Sequence, residues 1–175
     1  MASLTALTPL ANLARDWVAD VRRNHGLEHA TVAVLFARRG PQRIAGRASG
    51  NGFFIIGKVE PELLRSCADE ALLRLQRGES GLVVSPMCGT NLAVTGTLCA
   101  IFTLCSWLRS RGSKGRDRLG DAISASMLAA VVAQPVGRLV QEHITTLADH
   151  DLVEITDVRT FFPGVSKVYT HRRQV

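Results

Sequence analysis

A run of twenty uncharged residues, GTNLAVTGTLCAIFTLCSWL at positions 89–108, constrains this chain more than any other feature. Its length matches the roughly 20 apolar residues that an α-helix needs to cross a bilayer. A second uncharged run, residues 122–137, contains Gln134-Pro135 and is the weaker match. Together the runs predict a two-helix transmembrane hairpin over residues 89–140. The alternative is a pair of helices buried in the core of a soluble protein.

A cluster of basic residues lies between these two runs. Five basic residues crowd the segment: Arg109, Arg111, Lys114, Arg116 and Arg118. Short loops rich in arginine and lysine stay in the cytoplasm, so we expect the basic loop 109–118 to face the cytoplasm. A net charge of +6 is also a feature of many nucleic-acid-binding proteins. We expect no nucleic-acid partner, because no aromatic residues interleave with the arginines to stack on bases.

The sequence on either side of the hairpin predicts a small α+β domain. Residues 9–37 repeat apolar side chains at helical spacing and are followed by Arg38-Arg39-Gly40-Pro41, which ends the helix. The remaining elements are indicated by apolar periodicity and turn residues: strands at 43–48 and 53–59 joined by a hairpin at Asn51-Gly52, a helix at 60–77, a candidate strand at 82–85, and strands at 152–160 and 166–171.

We therefore expect three segments along the chain. An α+β domain with the order helix, strand, strand, helix, strand covers residues 1–88, and the transmembrane hairpin covers residues 89–140. The C-terminal strands, residues 141–175, are expected to return to the α+β domain as a hairpin and pack on it.

The first helix carries a candidate metal site in the stretch HGLEHAT, residues 25–31. His25, Glu28 and His29 fall at positions i, i+3 and i+4, so on a helix they share one face. This is the H-x-x-E-H pattern of inverted zinc hydrolases. In that interpretation His25 and His29 bind zinc, and Glu28 is the catalytic residue that activates a metal-bound water. The alternative is that both histidines are hydrogen-bonded packing residues of the helix.

A zinc site of this kind needs a third protein ligand, and the sequence offers Cys88, Glu60 or Glu62. Cys88 is placed just before the apolar run, where the helix dipole favours a thiolate. Thr90 or Asn91 can cap that helix, so a plain turn-and-cap motif with an incidental cysteine is the alternative. The other cysteines lie in apolar surroundings and are expected to behave as small hydrophobic residues.

The sequence also resembles an uncharacterised bacterial family of small two-helix membrane proteins. The resemblance covers about residues 20–146 and rests on these segments: NHGLEHAT (24–31), GFFIIGKV (52–59), EALLRLQRGES (70–80), PMCGTNL (86–92) and DAISASMLAAVVAQPVGRLVQEHITT. It implies a location in the bacterial inner membrane and a fold with two membrane-spanning helices. The family has no established activity, so the resemblance supplies none.

These observations lead to two functional hypotheses. The first is a non-catalytic accessory or interaction subunit of a membrane complex, with the lipid bilayer and a membrane protein as its partners. Two hydrophobic helices bury little of each other in lipid, which favours a further partner. The second is a membrane-bound zinc-dependent hydrolase that uses the H-x-x-E-H motif.

Overall fold

The computed structural model describes residues 7–110, 112 and 115–173, and the chain divides into two units. The first unit joins Met1–Val84 to Ile144–Val175, and the second is Ser85–His143. In chain order the elements are α1 (Leu7–Arg39), β1 (Ala45–Ser49), β2 (Gly52–Ile56), α2 (Pro61–Gln76), a 3-10 helix (Ser80–Val83), α3 (Gly89–Arg109), α4 (Gly115–Val140), a π-helical turn (Gln141–Thr145), β3 (Val153–Phe162) and β4 (Val165–Arg172).

The four strands of the first unit form one antiparallel sheet in the order β1-β2-β4-β3. The loop between β1 and β2 consists of Gly50 and Asn51, so the hairpin turn lies one residue earlier than expected. Gly52, with φ 132°, opens β2, and a Cβ there would lie 2.0 Å from the carbonyl oxygen of Val168. Because β4 pairs with both β2 and β3, the C-terminal strands join the sheet. The predicted α+β fold class is confirmed.

The core of the first unit lies between the two helices and one face of the sheet. Alternate residues of β2 point inward, as the period of a strand requires, and α1 and α2 supply apolar stripes at helical spacing. Cys67 of α2 belongs to this core, and burial raises the pKa of its thiol. It is therefore a small hydrophobic residue, as expected. The same core also contains Leu27, Leu35, Phe53, Ile55, Leu64 and Val168.

The prediction of a strand at 82–85 is wrong, because the first two of these residues belong to the 3-10 helix. The amide of Leu82 donates to the carbonyl of Glu79, and the amide of Val84 donates to that of Gly81, so these groups are unavailable to a sheet. The Val83 side chain is buried beside Gly26 of α1, where a Cβ would lie 2.9 Å from Val83 Cγ1. Gly26, which by propensity weakens a helix, thus allows α1 to approach the 3-10 helix closely.

The second unit is an antiparallel pair of helices. The buried residues of α4 are small: Ala122, Ala129, Ala133 and Gly137. The backbones of the two helices can therefore approach each other closely. Cys99 of α3 donates its thiol to the carbonyl of Ser126, at 3.4 Å. The second helix, α4, is longer than the uncharged run at 122–137, since it begins at Gly115 and continues through Pro135. Both helices are long and apolar enough to cross a membrane.

Buried amides join the ends of the two helices farthest from the loop. Asn91 of α3 accepts a hydrogen bond from Gln141 through its side-chain oxygen and donates to the carbonyls of Ser85 and Pro86. Gln141 in turn accepts from the Ser85 amide at 2.9 Å. Gly137 makes room for this network, because a Cβ there would lie 2.2 Å from the Asn91 side-chain oxygen. Buried polar groups are thereby paired within an otherwise apolar hairpin.

Candidate functional site

His25 and His29 meet on one face of α1, as their i, i+4 spacing predicts. Their ring centroids lie 4.4 Å apart with the planes at 61°, and a ring nitrogen of each lies within 4.8 Å of the other. His29 is 5% exposed and His25 is half-buried. Two imidazoles at this separation can bind one transition-metal ion.

Backbone carbonyls fix the tautomer of both rings. The Nδ1 atom of His29 lies 2.6 Å from the carbonyl oxygen of Val83, and that of His25 lies 2.9 Å from the carbonyl oxygen of Thr145. A carbonyl only accepts, so both Nδ1 atoms carry the hydrogen. In the neutral ring the lone pair is then on Nε2. Histidine ligands of metals are oriented by contacts of this type.

Both accepting carbonyls come from the ends of short helical segments. Val83 is the last residue of the 3-10 helix, and Thr145 is the last residue of the π-helical turn. The final carbonyls of a helix have no intrahelical donor, so they are free to accept from side chains. The local structure of two segments far from α1 in sequence therefore positions the histidines.

Glu28 is buried, and its carboxylate lies against β1. A Cβ on Gly46 of β1 would lie 1.9 Å from Oε1 of Glu28, so only glycine leaves space for this carboxylate. The signal in the sequence is a glycine inside a strand, which marks a close approach of another group. Gly46 is thus a residue of the site that the sequence reasoning missed.

Two of the three alternative third ligands lie at the start of α2. Glu60 is the exposed N-cap residue of α2, and Glu62 is in its first turn. Within the described part of the first unit, neither carboxylate joins the two imidazoles in a group of potential ligands. Cys88 belongs to the second unit and is the N-cap residue of α3, where its sulfur accepts from the Thr90 amide at 3.4 Å. Neither Thr90 nor Asn91 holds the cap position that the sequence predicts for one of them.

The segment that follows the π-helical turn, residues 146–150, contacts α1 next to the Thr145 carbonyl, and we call it the clamp. The guanidinium of Arg22 donates to the carbonyl of Thr146 at 3.0 Å, and the amide of Leu147 donates to the carbonyl of Arg22 at 3.1 Å. His150, which is 1% exposed, donates from Nε2 to the carbonyl of Arg23 at 2.9 Å. The sequence reasoning missed this clamp, because no local spacing connects residues more than 120 positions apart.

Residues 20–158 match the sequence model of a family described as a domain of unknown function, DUF6391. The chain belongs to the DUF6391 family. The matched DUF6391 region contains both histidines, the helical pair and the clamp. An uncharacterized protein of Picosynechococcus sp. is 34% identical over 152 residues, which covers 78% of this chain and 73% of that protein. No solved structure matches the chain. Membership of an uncharacterised family is confirmed.

The geometry predicts a single tautomer for both rings. Imidazole ¹⁵N chemical shifts in the full chain, with His25 and His29 assigned from His25→Ala and His29→Ala, should show hydrogen on Nδ1 and a lone pair on Nε2 at a pH where the rings are neutral. His171, which is exposed on β4, serves as the control and should show the tautomer mixture of a solvated imidazole. Hydrogen on Nε2 of His29 would contradict the contact with the Val83 carbonyl.

Proposed function

We propose that the chain is an integral membrane protein whose helical pair, α3 and α4, crosses the bilayer. The observation that carries this proposal is the low burial of two strongly apolar helices. Only 6% of the most apolar window of α3 is buried, and only 17% of that of the helix from Gly115 to Thr145. A core helix of a soluble protein would be largely buried. Large apolar side chains remain exposed along both helices, including Leu92, Ile101, Leu104, Met127, Leu128 and Val131.

The dimensions of the helices fit a bilayer. α3 has 21 residues and α4 has 26, which correspond to about 32 Å and 39 Å of helix, against a hydrocarbon core of about 30 Å. At the loop end the Arg118 guanidinium lies 4.0 Å from the centroid of the Trp107 ring, an arrangement typical of membrane interfaces. We assign the basic loop to the cytoplasm and the protein to the bacterial inner membrane. Arg111 and Lys114 of this loop lie outside the described residues.

Membrane integration can be tested by cell fractionation. Alkaline carbonate strips peripheral proteins but leaves helices that cross the bilayer in place. We therefore expect the full chain to stay in the membrane pellet after a carbonate wash. A variant with Leu98→Arg and Val131→Arg, which places two charges in the apolar helices, should be released or fail to insert. Release of the unaltered chain into the supernatant would contradict the proposal.

The biochemical role that we propose is that of a non-catalytic accessory subunit in a membrane complex. Two helices alone bury little of each other in lipid, and the exposed apolar surface of α3 and α4 is available to other helices. Residues Thr145 and Thr146, which precede the C-terminal strands, are held to α1 by partly buried hydrogen bonds, which is expected of a rigid binding domain.

Photo-crosslinking in the membrane tests this role. A photo-reactive side chain placed at Leu92 of α3 or at Val131 of α4, which are 77% and 70% exposed, should give a protein adduct of one defined mass. The same chain without irradiation is the matched control. Adducts with lipid alone from both positions would contradict the accessory role, while leaving membrane integration intact.

The second candidate function is a membrane-bound zinc-dependent hydrolase. The fixed tautomers of His25 and His29 favour it, because both rings are set up to offer Nε2 to a metal. Glu28 is the proposed base, and Cys88, one of the three third ligands that the sequence offers, is the third ligand that we propose. Zinc at this site would lower the pKa of a bound water to about 7.

Metal analysis of the purified full chain tests the zinc site. We expect about one zinc per chain, and His29→Ala should weaken zinc binding at least tenfold because it removes a direct ligand. His171→Ala is the matched control and should not change the metal content. Cys88→Ser should also weaken binding if the sulfur is a ligand. Hydrolysis that is lost in Glu28→Gln with zinc retained would support the enzyme, whereas an unaltered chain without bound zinc would contradict this candidate.

A further inference from the structure

A groove between α3 and α4 near their connecting loop combines polar and apolar walls. Its volume is about 590 Å³, within the range of ligand sites. One end is polar and carries Arg109 and Asp121 together with three serine hydroxyls, and the other end is apolar. The polar end is lined by Ser106, Arg109, Ser110, Asp121 and Ser124, and the apolar end by Ile101, Phe102 and Ala125.

The polarity changes along the helix axis. Ile101 and Arg109 are eight residues apart on α3, which corresponds to about 12 Å. If α3 and α4 cross the bilayer, the charged end lies at the headgroup level and the apolar end lies at the level of the acyl chains. The groove therefore has the amphipathic profile of a phospholipid.

Two side chains of opposite charge line the polar end of this groove. Arg109 and Asp121 form no salt bridge among the described residues, although both line the polar end. One carboxylate oxygen of Asp121 accepts from the Ser110 hydroxyl at 2.9 Å. The neighbouring Arg118 is occupied with the Trp107 ring and carbonyl. A ligand that carries both a negative and a positive group would satisfy both side chains.

We propose that the groove binds a phospholipid with a phosphoethanolamine headgroup, an inference that rests on the proposed membrane integration. Arg109 binds the phosphate through its guanidinium, with the hydroxyls of Ser106 and Ser124 as further donors. Asp121 accepts hydrogen bonds from the primary ammonium group. A choline headgroup has no N–H to donate, and an anionic glycerol headgroup brings no cation to Asp121. The site therefore selects ethanolamine over both.

Lipid retention by the full chain tests this inference. The chain is reconstituted in vesicles with equal amounts of phosphatidylcholine and phosphatidylethanolamine and a minor fraction of phosphatidylglycerol, then extracted in mild detergent and examined by native mass spectrometry. We expect the ethanolamine lipid to be enriched about fivefold over the choline lipid, since interfacial charge pairs are individually weak. Free phosphoethanolamine, which lacks acyl chains, should not displace the bound lipid.

Matched variants test the contributions of Asp121 and Arg109 separately. Asp121→Asn keeps an acceptor for Ser110 and should abolish the preference for ethanolamine over choline while lipid is still retained. Arg109→Gln should lower the retention of both lipids. Asp117→Asn in the first turn of α4 and Arg138→Gln near its end do not line the groove and should leave the preference unchanged.

Two outcomes would overturn the inference. The first is the absence of ethanolamine enrichment, or a preference for phosphatidylglycerol, which would indicate only a basic surface. The second is an equal loss of preference in the control variants. If the chain itself is released by carbonate, membrane integration has failed. If it stays in the pellet without ethanolamine enrichment, only the lipid site has failed.

Discussion

The first unit depends on the pairing of polar groups along the buried face of α1. An unpaired donor or acceptor in a protein interior costs about 1–3 kcal/mol, so a helix that buries arginine, histidine and glutamate must find partners for them. Here the partners are mostly backbone carbonyls. Arg22 donates to the carbonyl of Thr146 in the clamp, His25 to that of Thr145 at the end of the π-helical turn, and His29 to that of Val83 at the end of the 3-10 helix. The same contacts that satisfy α1 therefore determine the course of two segments without regular sheet structure.

The sequence is sufficient to predict those elements whose signals are local. Apolar periodicity identifies α1 and α2 to within two residues, and the uncharged run identifies α3 to within one. The strand at 82–85 fails for a physical reason, because a short apolar run is compatible with any buried segment. There the deciding interaction is the contact of Val83 with α1, which no local pattern records.

In the candidate site, too, some features follow from the local sequence and others depend on the fold. The spacing of His25 and His29 is sufficient to predict that the rings meet, since it follows from helix geometry. The carbonyl partners are not predictable, because any exposed or helix-terminal carbonyl in the chain is chemically equivalent. The role of Gly46 can be predicted only in part from the sequence. A glycine within a strand suggests a close approach, but only the fold identifies the Glu28 carboxylate as the group that approaches. Likewise, the role of Gly137 beside Asn91 depends on the antiparallel helix pair.

Metal binding and hydrolysis make different demands on α1. Coordination requires two lone pairs directed at a common point, and the carbonyls of Val83 and Thr145 already hold both rings in the necessary tautomer. Hydrolysis requires in addition that a carboxylate reach the metal-bound water. The Glu28 carboxylate is accommodated against Gly46 of β1, in a space that exists only because that residue lacks a side chain. A Gly46→Ala exchange therefore acts on the proposed base without touching either imidazole. For this reason the pairing of His25 with His29 supports a metal ligand set more directly than it supports an enzyme.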